Sequence, residues 1–336
     1  MDTIQQFGLA KVAGRSRPGF FASIMGTLLT ALSLGIFAQN PGSRFLNNSG
    51  SRLEPGDIVY VDSGDAIQGG FVIKVDGQTR EKSVISSGGL LRLPFGVVID
   101  AEGQIIVSDS GRLIRIDPET GGQTLIADNS MGDLGQPCGL AMERRNSIVV
   151  ANLQSVMRVN PHSGQIQTAC TGGSLLYPLC VAVTEREELV VLNMAFPPEI
   201  IRVHPNGVQS VISRGGLLNR PQAFAVQGDH IYITDVANSD GNFGIGRVID
   251  VDARTGEQTI AAEGQYLSGP VGIALDNEGQ LVVGDPYTVN PERADQLDGG
   301  IIRINLFTHQ QDLVTRGTGS FVNPRGVAIV PNPNHQ

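Results

Sequence analysis

Residues 94–127 read PFGVVIDAEGQIIVSDSGRLIRIDPETGGQTLIA and contain short apolar runs separated by turns. The runs are Val97–Ile99, Ile105–Ser108, Leu113–Ile116 and Gln123–Ile126. In the turns, Asp caps its own turn, Pro fixes φ, and Gly accepts a positive φ. Runs this short that are joined by such turns form β-hairpins, so the stretch predicts one antiparallel sheet of four strands.

The same pattern recurs along the chain, and each copy begins with a proline. These anchor prolines are Pro94, Pro137, Pro178, Pro221, Pro270 and Pro324. A period of about 40 to 50 residues built from four strands is typical of a β-propeller. The first copy lacks its first run, and the last copy consists of a first run alone, Gly326–Val330. We therefore predict an all-β, six-bladed β-propeller over residues 56–331, closed by a C-terminal strand that completes the N-terminal blade.

The repeat units resemble NHL repeats, as PFGVVIDAEGQIIVSDSGRLIRID illustrates. The resemblance covers about residues 56–331 and extends to the gluconolactonase-like and strictosidine-synthase-like propellers. It implies that the first strand of each blade lines a central channel. It also implies that ligands bind on the face where first strands begin and second strands end. The fold does not select a function, because such propellers include enzymes, receptors and scaffolds.

Two repeat positions fall on that face. The first directly follows the anchor prolines and holds Phe95, Cys138, Leu179, Gln222, Val271 and Arg325. The second ends the second strands and holds Asp62, Asp109, Asn152, Asn193, Asp235 and Asp285. The second set either contacts ligand or hydrogen-bonds nearby loop backbone and locks the blade. Arg325 is the only charged residue of the first set, so it either binds an anionic ligand or pairs with an adjacent Asp.

The loops between second and third strands are longest in blades 5, 6 and 1. They comprise Val236–Gly246, Pro286–Gly300 and Ser63–Gly70. Extra loop on a rigid scaffold usually carries specificity, although it is also where insertions are tolerated. We predict a binding rim in this sector, where Tyr287 and Arg293 join Arg325, Gln222 and the six polar residues above as ligand-binding candidates.

No catalytic or metal-binding set is expected. A gluconolactonase-like site requires Asn or Asp after the anchor prolines to ligate a divalent metal, and only Gln222 offers a side-chain oxygen there. The five histidines fall in turns or in the tail, which disfavours a zinc site built from three imidazoles. These are His162, His204, His230, His309 and His335. Every Glu from Glu54 onward is predicted in a turn, loop or linker, so no channel Glu stands out as an acid–base group.

The charge balance narrows the partners. The formal net charge is −9 and no basic stripe occurs, which argues against nucleic acid. Three cysteines are too few for a disulfide framework. We therefore predict a monomeric binding or scaffold module without a cofactor, for a protein, peptide or small molecule. The alternatives are a metal-free lyase, isomerase or hydrolase using a channel-mouth Asp, and a structural member of a membrane-associated assembly.

The N-terminus predicts export. Lys11, Arg15 and Arg17 precede the uncharged run Phe20–Ala38, which resembles a secretory signal but is long enough to be an uncleaved membrane anchor. The predicted segments are a signal peptide or anchor (1–38), a linker (39–55), the propeller (56–331) and a tail (332–336). The expected location is periplasmic or extracellular, with membrane attachment only if residues 20–38 remain uncleaved.

Overall fold

The computed structural model describes residues 51–64, 69–144, 146–236, 245–290, 293–317 and 323–332. All of these residues belong to one compact unit. Their regular structure consists of β-strands, and no helix within these ranges is long and apolar enough to cross a membrane. The segment 1–38 and most of the 39–55 linker lie outside the described residues, so the predictions of export and of these boundaries stay predictions.

The strands form six antiparallel sheets of four strands, together with one small hairpin. Blade 1 contains β1 (Ile58–Asp62), β2 (Phe71–Val75) and β3 (Lys82–Ser87). Blade 2 contains β4 (Val97–Ile99), β5 (Ile105–Asp109), β6 (Arg112–Ile116) and β7 (Gln123–Asp128). Blade 3 contains β8 (Leu140–Met142), β9 (Ile148–Ala151), β10 (Ser155–Val159) and β11 (Ile166–Thr171).

The second half of the ring repeats this order. Blade 4 contains β12 (Pro178–Val183), β13 (Leu189–Asn193), β14 (Glu199–Val203) and β15 (Gln209–Arg214). Blade 5 contains β16 (Pro221–Gln227), β17 (His230–Val236), β18 (Gly246–Asp252) and β19 (Gln258–Glu263). Blade 6 contains β20 (Gly272–Leu275), β21 (Leu281–Asp285), the hairpin β22 (Val289–Asn290) and β23 (Arg293–Leu297), and then β24 (Gly300–Ile304) and β25 (Gln311–Arg316).

The last strand, β26 (Pro324–Ile329), closes the ring by pairing antiparallel with β1, so that Tyr60 lies opposite Val327. Beyond the pairing, the Gly56 N–H donates to the Val330 carbonyl at 3.0 Å. Around the channel, β26, β4, β8, β12, β16 and β20 contact one another in sequence. The predicted six-bladed propeller and its closure by the C-terminal strand are therefore confirmed. We call the face where first strands begin and second strands end the top face.

The apolar residues of the runs pack between blades. In the cluster between blades 1 and 2, Val59 and Val72 pack with Ile105 and Ile114, and all four are buried. Each blade is covered on both sides by its neighbours, which explains why a second strand such as β5 is buried at every position. The resulting scaffold holds the top-face loops on a rigid base.

Glutamine side chains connect successive blades at the first residue of the fourth strand. The Gln123 Oε1 atom accepts the Leu90 N–H at 2.7 Å, and Nε2 donates to the Gly88 carbonyl at 3.0 Å. Gln209, Gln258 and Gln311 accept a backbone N–H from the preceding blade in the same way. Ile166 holds this position in blade 3, and Lys82 in blade 1 donates instead to the Arg316 carbonyl. These contacts fix the turns that lead into the next blade.

Candidate functional site

The polar residues that end the second strands are buried and bind loop backbone. Oδ2 of Asp285 accepts the N–H groups of Ser268 and Gly269 at 2.7 and 3.0 Å, and Oδ1 accepts that of Tyr287 at 2.7 Å. In blade 4, Oδ1 of Asn193 accepts the N–H of Tyr177 at 2.9 Å. Asp62, Asp109, Asn152 and Asp235 also hydrogen-bond backbone groups of the loops around them. All six residues therefore have a structural role, and ligand contact by them stays a prediction.

Burial raises the pKa of all four of these carboxylates, and the effect is largest for Asp62 and Asp285. Burial raises the pKa of Asp62 to about 6, while backbone N–H donors act in the opposite direction. Burial likewise raises the pKa of Asp285 to about 6. Both side chains are fully buried. Their protonation is therefore coupled to the stability of the blade, because the oxygens that lose charge are those that hold the loop.

The residues after the anchor prolines surround the upper end of the channel. Cys138, Leu179, Gln222 and Val271 are buried, whereas Phe95 and Arg325 are partly exposed. Nε2 of Gln222 donates to the Arg220 carbonyl at 3.0 Å. Burial raises the pKa of the Cys138 thiol to about 12, which makes it a poor nucleophile.

The channel is apolar along its length. Its cavity has a volume of about 410 Å³, within the range of small-molecule sites. No charged side chain is among the described residues that line it. Representative lining residues are Phe95, Ile99, Met142, Val271, Ile329 and Pro331. A hard divalent cation needs several oxygen ligands, and this lining does not provide them.

Two cationic side chains lie near the channel, one of them on Arg325, which directly precedes the lining residue Gly326. The Arg325 guanidinium makes no hydrogen bond and no ion pair with a described residue, so the alternative of a salt bridge to an adjacent Asp is not realised there. Burial lowers the pKa of Arg325, and Tyr287 and Asp62 act in the opposite direction. Tyr287 in turn lies within the electrostatic range of both Arg325 and Arg220. We call Arg325, Arg220 and Tyr287 the cationic mouth.

The position of the Tyr287 ring explains why residue 269 is a glycine. A Cβ atom at Gly269 would come within 2.6 Å of the Tyr287 ring. The same Gly269 N–H is held by Asp285, which also accepts the Tyr287 N–H. The buried carboxylate therefore fixes both the loop that receives the ring and the residue that carries it.

The structure brings together only some of the predicted rim. Arg325 and Tyr287 meet at the cationic mouth, and Gln222 lies beside it through its bond to the Arg220 carbonyl. The backbone of Arg293 lies in β23, but its side chain falls outside the described residues. Most of the Val236–Gly246 loop, residues 237–244, is also outside them. Sequence analysis missed Arg220, although a cation directly before an anchor proline was a visible signal.

The prediction about the glutamates can be compared with the structure. The expectation that every Glu lies in a turn, loop or linker is wrong for Glu199 and Glu263, which lie in β14 and β19. Glu199 is buried because Arg214 pairs with it at 2.5 Å and Asn193 donates to it at 3.3 Å. Both partners lie directly opposite Glu199 on the adjacent strands of blade 4, so the contacts follow from the strand register.

The described histidines do not converge. His204 pairs with Glu188 at 2.7 Å, His230 with Asp250 at 2.9 Å, and Nδ1 of His309 lies 2.8 Å from a backbone carbonyl. These contacts lie in three different blades. Within the described ranges, no group of three or more His, Cys, Asp or Glu residues is placed to hold a metal ion.

Comparison with known proteins supports the fold. No protein-family model and no curated protein matches the sequence. A chain of the crystal structure of a nidogen/laminin complex is similar with a TM-score of 0.61 and 14% identity, covering 82% of this chain and 98% of that one. This chain therefore shares the β-propeller fold with that structure. A gluconolactonase from Xanthomonas campestris is similar with a TM-score of 0.53 and 15% identity, covering 68% of this chain and 77% of that one.

The predicted resemblance to the NHL and gluconolactonase-like propellers is thereby confirmed at the level of the fold. At identities of 14% and 15%, the likeness extends to architecture alone. The site must be argued from the residues of this propeller.

Proposed function

We propose that this propeller is a binding module that captures the anionic group of a small molecule at its cationic mouth. The observation that carries this proposal is the Arg325 guanidinium, which is partly buried at the channel and has no ion-pair partner among the described residues. The Asp62 carboxylate acts on Arg325 through space, but no described group forms an ion pair with the guanidinium, and a cation held away from water without such a pair is unfavourable. A bound carboxylate or phosphate would supply that counter-charge through charge-assisted hydrogen bonds.

Two neighbours support an anion at this position. The Arg220 side chain also makes no hydrogen bond or ion pair within the described part of the chain, and like Arg325 it acts electrostatically on Tyr287. A guanidinium offers several N–H donors in a fixed plane, which suits carboxylate and phosphate oxygens.

The fold is compatible with this role and does not decide it. Of the two similar structures, one comes from a protein–protein complex and the other is a gluconolactonase. We favour a small molecule over a protein partner because Arg325 directly precedes Gly326, which lines a cavity of about 410 Å³. A flat protein surface would leave that cavity unfilled.

The test is isothermal titration calorimetry of the purified chain with sodium propanoate and with inorganic phosphate, at constant ionic strength set with chloride. We expect saturable binding of at least one of the two anions. Arg325→Gln and Arg220→Gln should each weaken it about tenfold or more, because a charge-assisted hydrogen bond is lost. The matched control is Arg254→Gln, whose side chain is 71% exposed in a turn of blade 5 and should leave affinity unchanged.

The stability of the free protein provides a second measurement. Because Arg325 lacks a partner, Arg325→Gln should leave the ligand-free propeller as stable as the parent or more stable. A loss of both stability and affinity would mean that Arg325 serves the structure instead. Anion binding that survives Arg325→Gln unchanged, or no binding beyond chloride, would overturn the proposal.

We also propose that the module is exported, because a basic segment precedes the uncharged run at 20–38. The mass of the mature protein recovered from its natural host tests this. A mass corresponding to a start near Gln39 supports a cleaved signal. An intact chain recovered from the cytoplasm contradicts export.

A further inference from the structure

We propose that the ligand is a carboxylate with an unbranched apolar tail of medium length, whose head binds the cationic mouth and whose tail enters the channel. This inference rests on the proposed function and adds the chemical class of the ligand. It is carried by the continuity between an unpaired cation and an apolar channel.

Arg325 lies next to the residues that form the upper end of the channel wall. Gly326, directly after Arg325, donates its N–H to the Phe95 carbonyl at 2.8 Å. A Cβ atom at Gly272 would come within 1.9 Å of the Arg325 carbonyl oxygen. Phe95, Gly272 and Gly326 all line the channel. A head group bound at Arg325 would therefore lie next to the upper end of this apolar lining.

The side chains of the channel wall offer no oxygen or nitrogen partner for a polar tail. The described residues that line it are glycine, alanine, larger apolar residues, Pro331 and Cys180. A hydroxyl group placed there without a hydrogen-bond partner is strongly disfavoured. Sugars and polyols are therefore poor candidates, whereas a hydrocarbon tail gains from leaving water.

Small side chains keep the channel open. The fourth residue after each anchor proline is Ala in five blades and Val98 in blade 2. Five of these six residues are Ala141, Ala182, Ala225, Ala274 and Ala328. All six are partly exposed, which is consistent with access from the channel. A larger side chain at Ala141 or Ala182, which line the cavity, would occupy the space of a tail.

The length of the innermost strands sets the length of the tail. From Phe95 to Ile99, at about 3.3 Å per residue, the wall extends about 13 Å. An extended hydrocarbon chain advances by about 1.3 Å per carbon, given a C–C bond of about 1.5 Å in a zigzag. The channel therefore accommodates a tail of about eight to ten carbons.

The test is a chain-length series of sodium propanoate, hexanoate, octanoate and decanoate, titrated calorimetrically into the full chain below their micelle concentrations. Each added methylene should tighten binding about fourfold until the channel is filled. Octanamide, which lacks the charge, should bind octanoate's site about tenfold or more weakly. Octyl phosphate distinguishes a carboxylate head from a phosphate head.

Two substitutions separate the head from the tail. Ala141→Phe should abolish the gain with chain length and leave propanoate binding unchanged. Its matched control is Ala101→Phe, at an exposed turn position, which should change neither. If Ala141→Phe does not fold, as judged by circular dichroism, Ala182→Phe in the next blade takes its place.

The outcomes distinguish the two proposals. Affinity that depends on Arg325 but does not rise with chain length overturns this inference and leaves the proposed function standing. No anion binding at all overturns both. A chain-length gain that persists in both Ala141→Phe and Arg325→Gln would place the tail elsewhere, for example on the apolar run at 20–38, and would also overturn the inference.

Discussion

Replacing Asp285 tests how the top face is held together. This fully buried carboxylate accepts three backbone N–H groups, from Ser268, Gly269 and Tyr287, at 2.7 to 3.0 Å. Asp285→Ala leaves all three donors without an acceptor. Each such buried donor costs about 1–3 kcal/mol, so we expect a loss of unfolding free energy of about 3 kcal/mol or more.

Asp285→Asn should behave differently, because Asn193 already fills the equivalent position in blade 4. The amide oxygen still accepts the loop N–H groups, while the amide nitrogen cannot accept the Tyr287 N–H. That loss of about 1–3 kcal/mol is offset by removal of a buried charge. At pH 7.5 we therefore expect Asp285→Asn to lie within about 1 kcal/mol of the parent.

The pH dependence gives the sharper signature. Burial raises the pKa of Asp285 from 3.8 to about 6. Because the pKa is higher in the folded state, the protonated form of Asp285 favours folding. This contribution to the unfolding free energy is present below pH 4 and is lost as the pH rises through 6. At about 1.4 kcal/mol per pKa unit, the contribution is about 3 kcal/mol. Relative to the parent, Asp285→Asn should thus gain about 3 kcal/mol between pH 4 and pH 7.5.

The assay is urea unfolding followed by far-ultraviolet circular dichroism at pH 4, 5, 6 and 7.5, because the chain contains no Trp for fluorescence. Equal losses in Asp285→Ala and Asp285→Asn would refute the hydrogen-bond argument. A pH profile of Asp285→Asn that runs parallel to the parent would refute the assignment of the titration to this carboxyl group.

Three further predictions concern other parts of the propeller. Gln258→Ala should lower the unfolding free energy by about 2 kcal/mol, because the Leu217 N–H loses its acceptor, whereas Gln165→Ala at an exposed position should have little effect in the same urea titration. Gly272→Ala should be destabilised by about 3 kcal/mol or more, since its Cβ would lie 1.9 Å from a carbonyl oxygen; a thermal unfolding midpoint unchanged from the parent would contradict that close approach. Burial raises the pKa of Cys138 to about 12, so iodoacetamide at pH 8 should label it at least a hundredfold more slowly in the folded protein than in urea, as read by mass spectrometry.

The sequence was a good guide wherever one signal repeated. The anchor prolines and the Asp-Gly turns predicted the four-stranded units, and the unpaired first run at Gly326–Val330 predicted the closure that the pairing of β26 with β1 confirms. Arg325 was identified because it is the only charge at its repeat position. Regularity indicated the scaffold, and a departure from regularity indicated the candidate site.

What the sequence did not indicate depends on contacts between distant segments. Arg220 joins the cationic mouth only because Tyr287, from the next blade, lies within its range. The glutamines that begin fourth strands were visible, but their partners belong to the preceding blade. Glu199 is a different case, because its partners Asn193 and Arg214 lie on the adjacent strands of the same blade. The two preceding prolines indicated a loop, and the register that places Glu199 at the start of a strand was not read from the sequence.

The pairing of β1 with β26 also governs how the molecule forms during synthesis. The Asp62 carboxylate accepts a hydrogen bond from the backbone N–H of Asn323, which is 261 residues later in the chain. Contacts this distant in sequence slow folding, because a long loop must close before they form. While the ribosome is still translating, five blades have their complete set of strands in the nascent chain, and the edge of β1 remains open to intermolecular pairing. The yield of folded protein then depends on whether this edge stays unpaired with other chains until Ile329 has emerged from the ribosome.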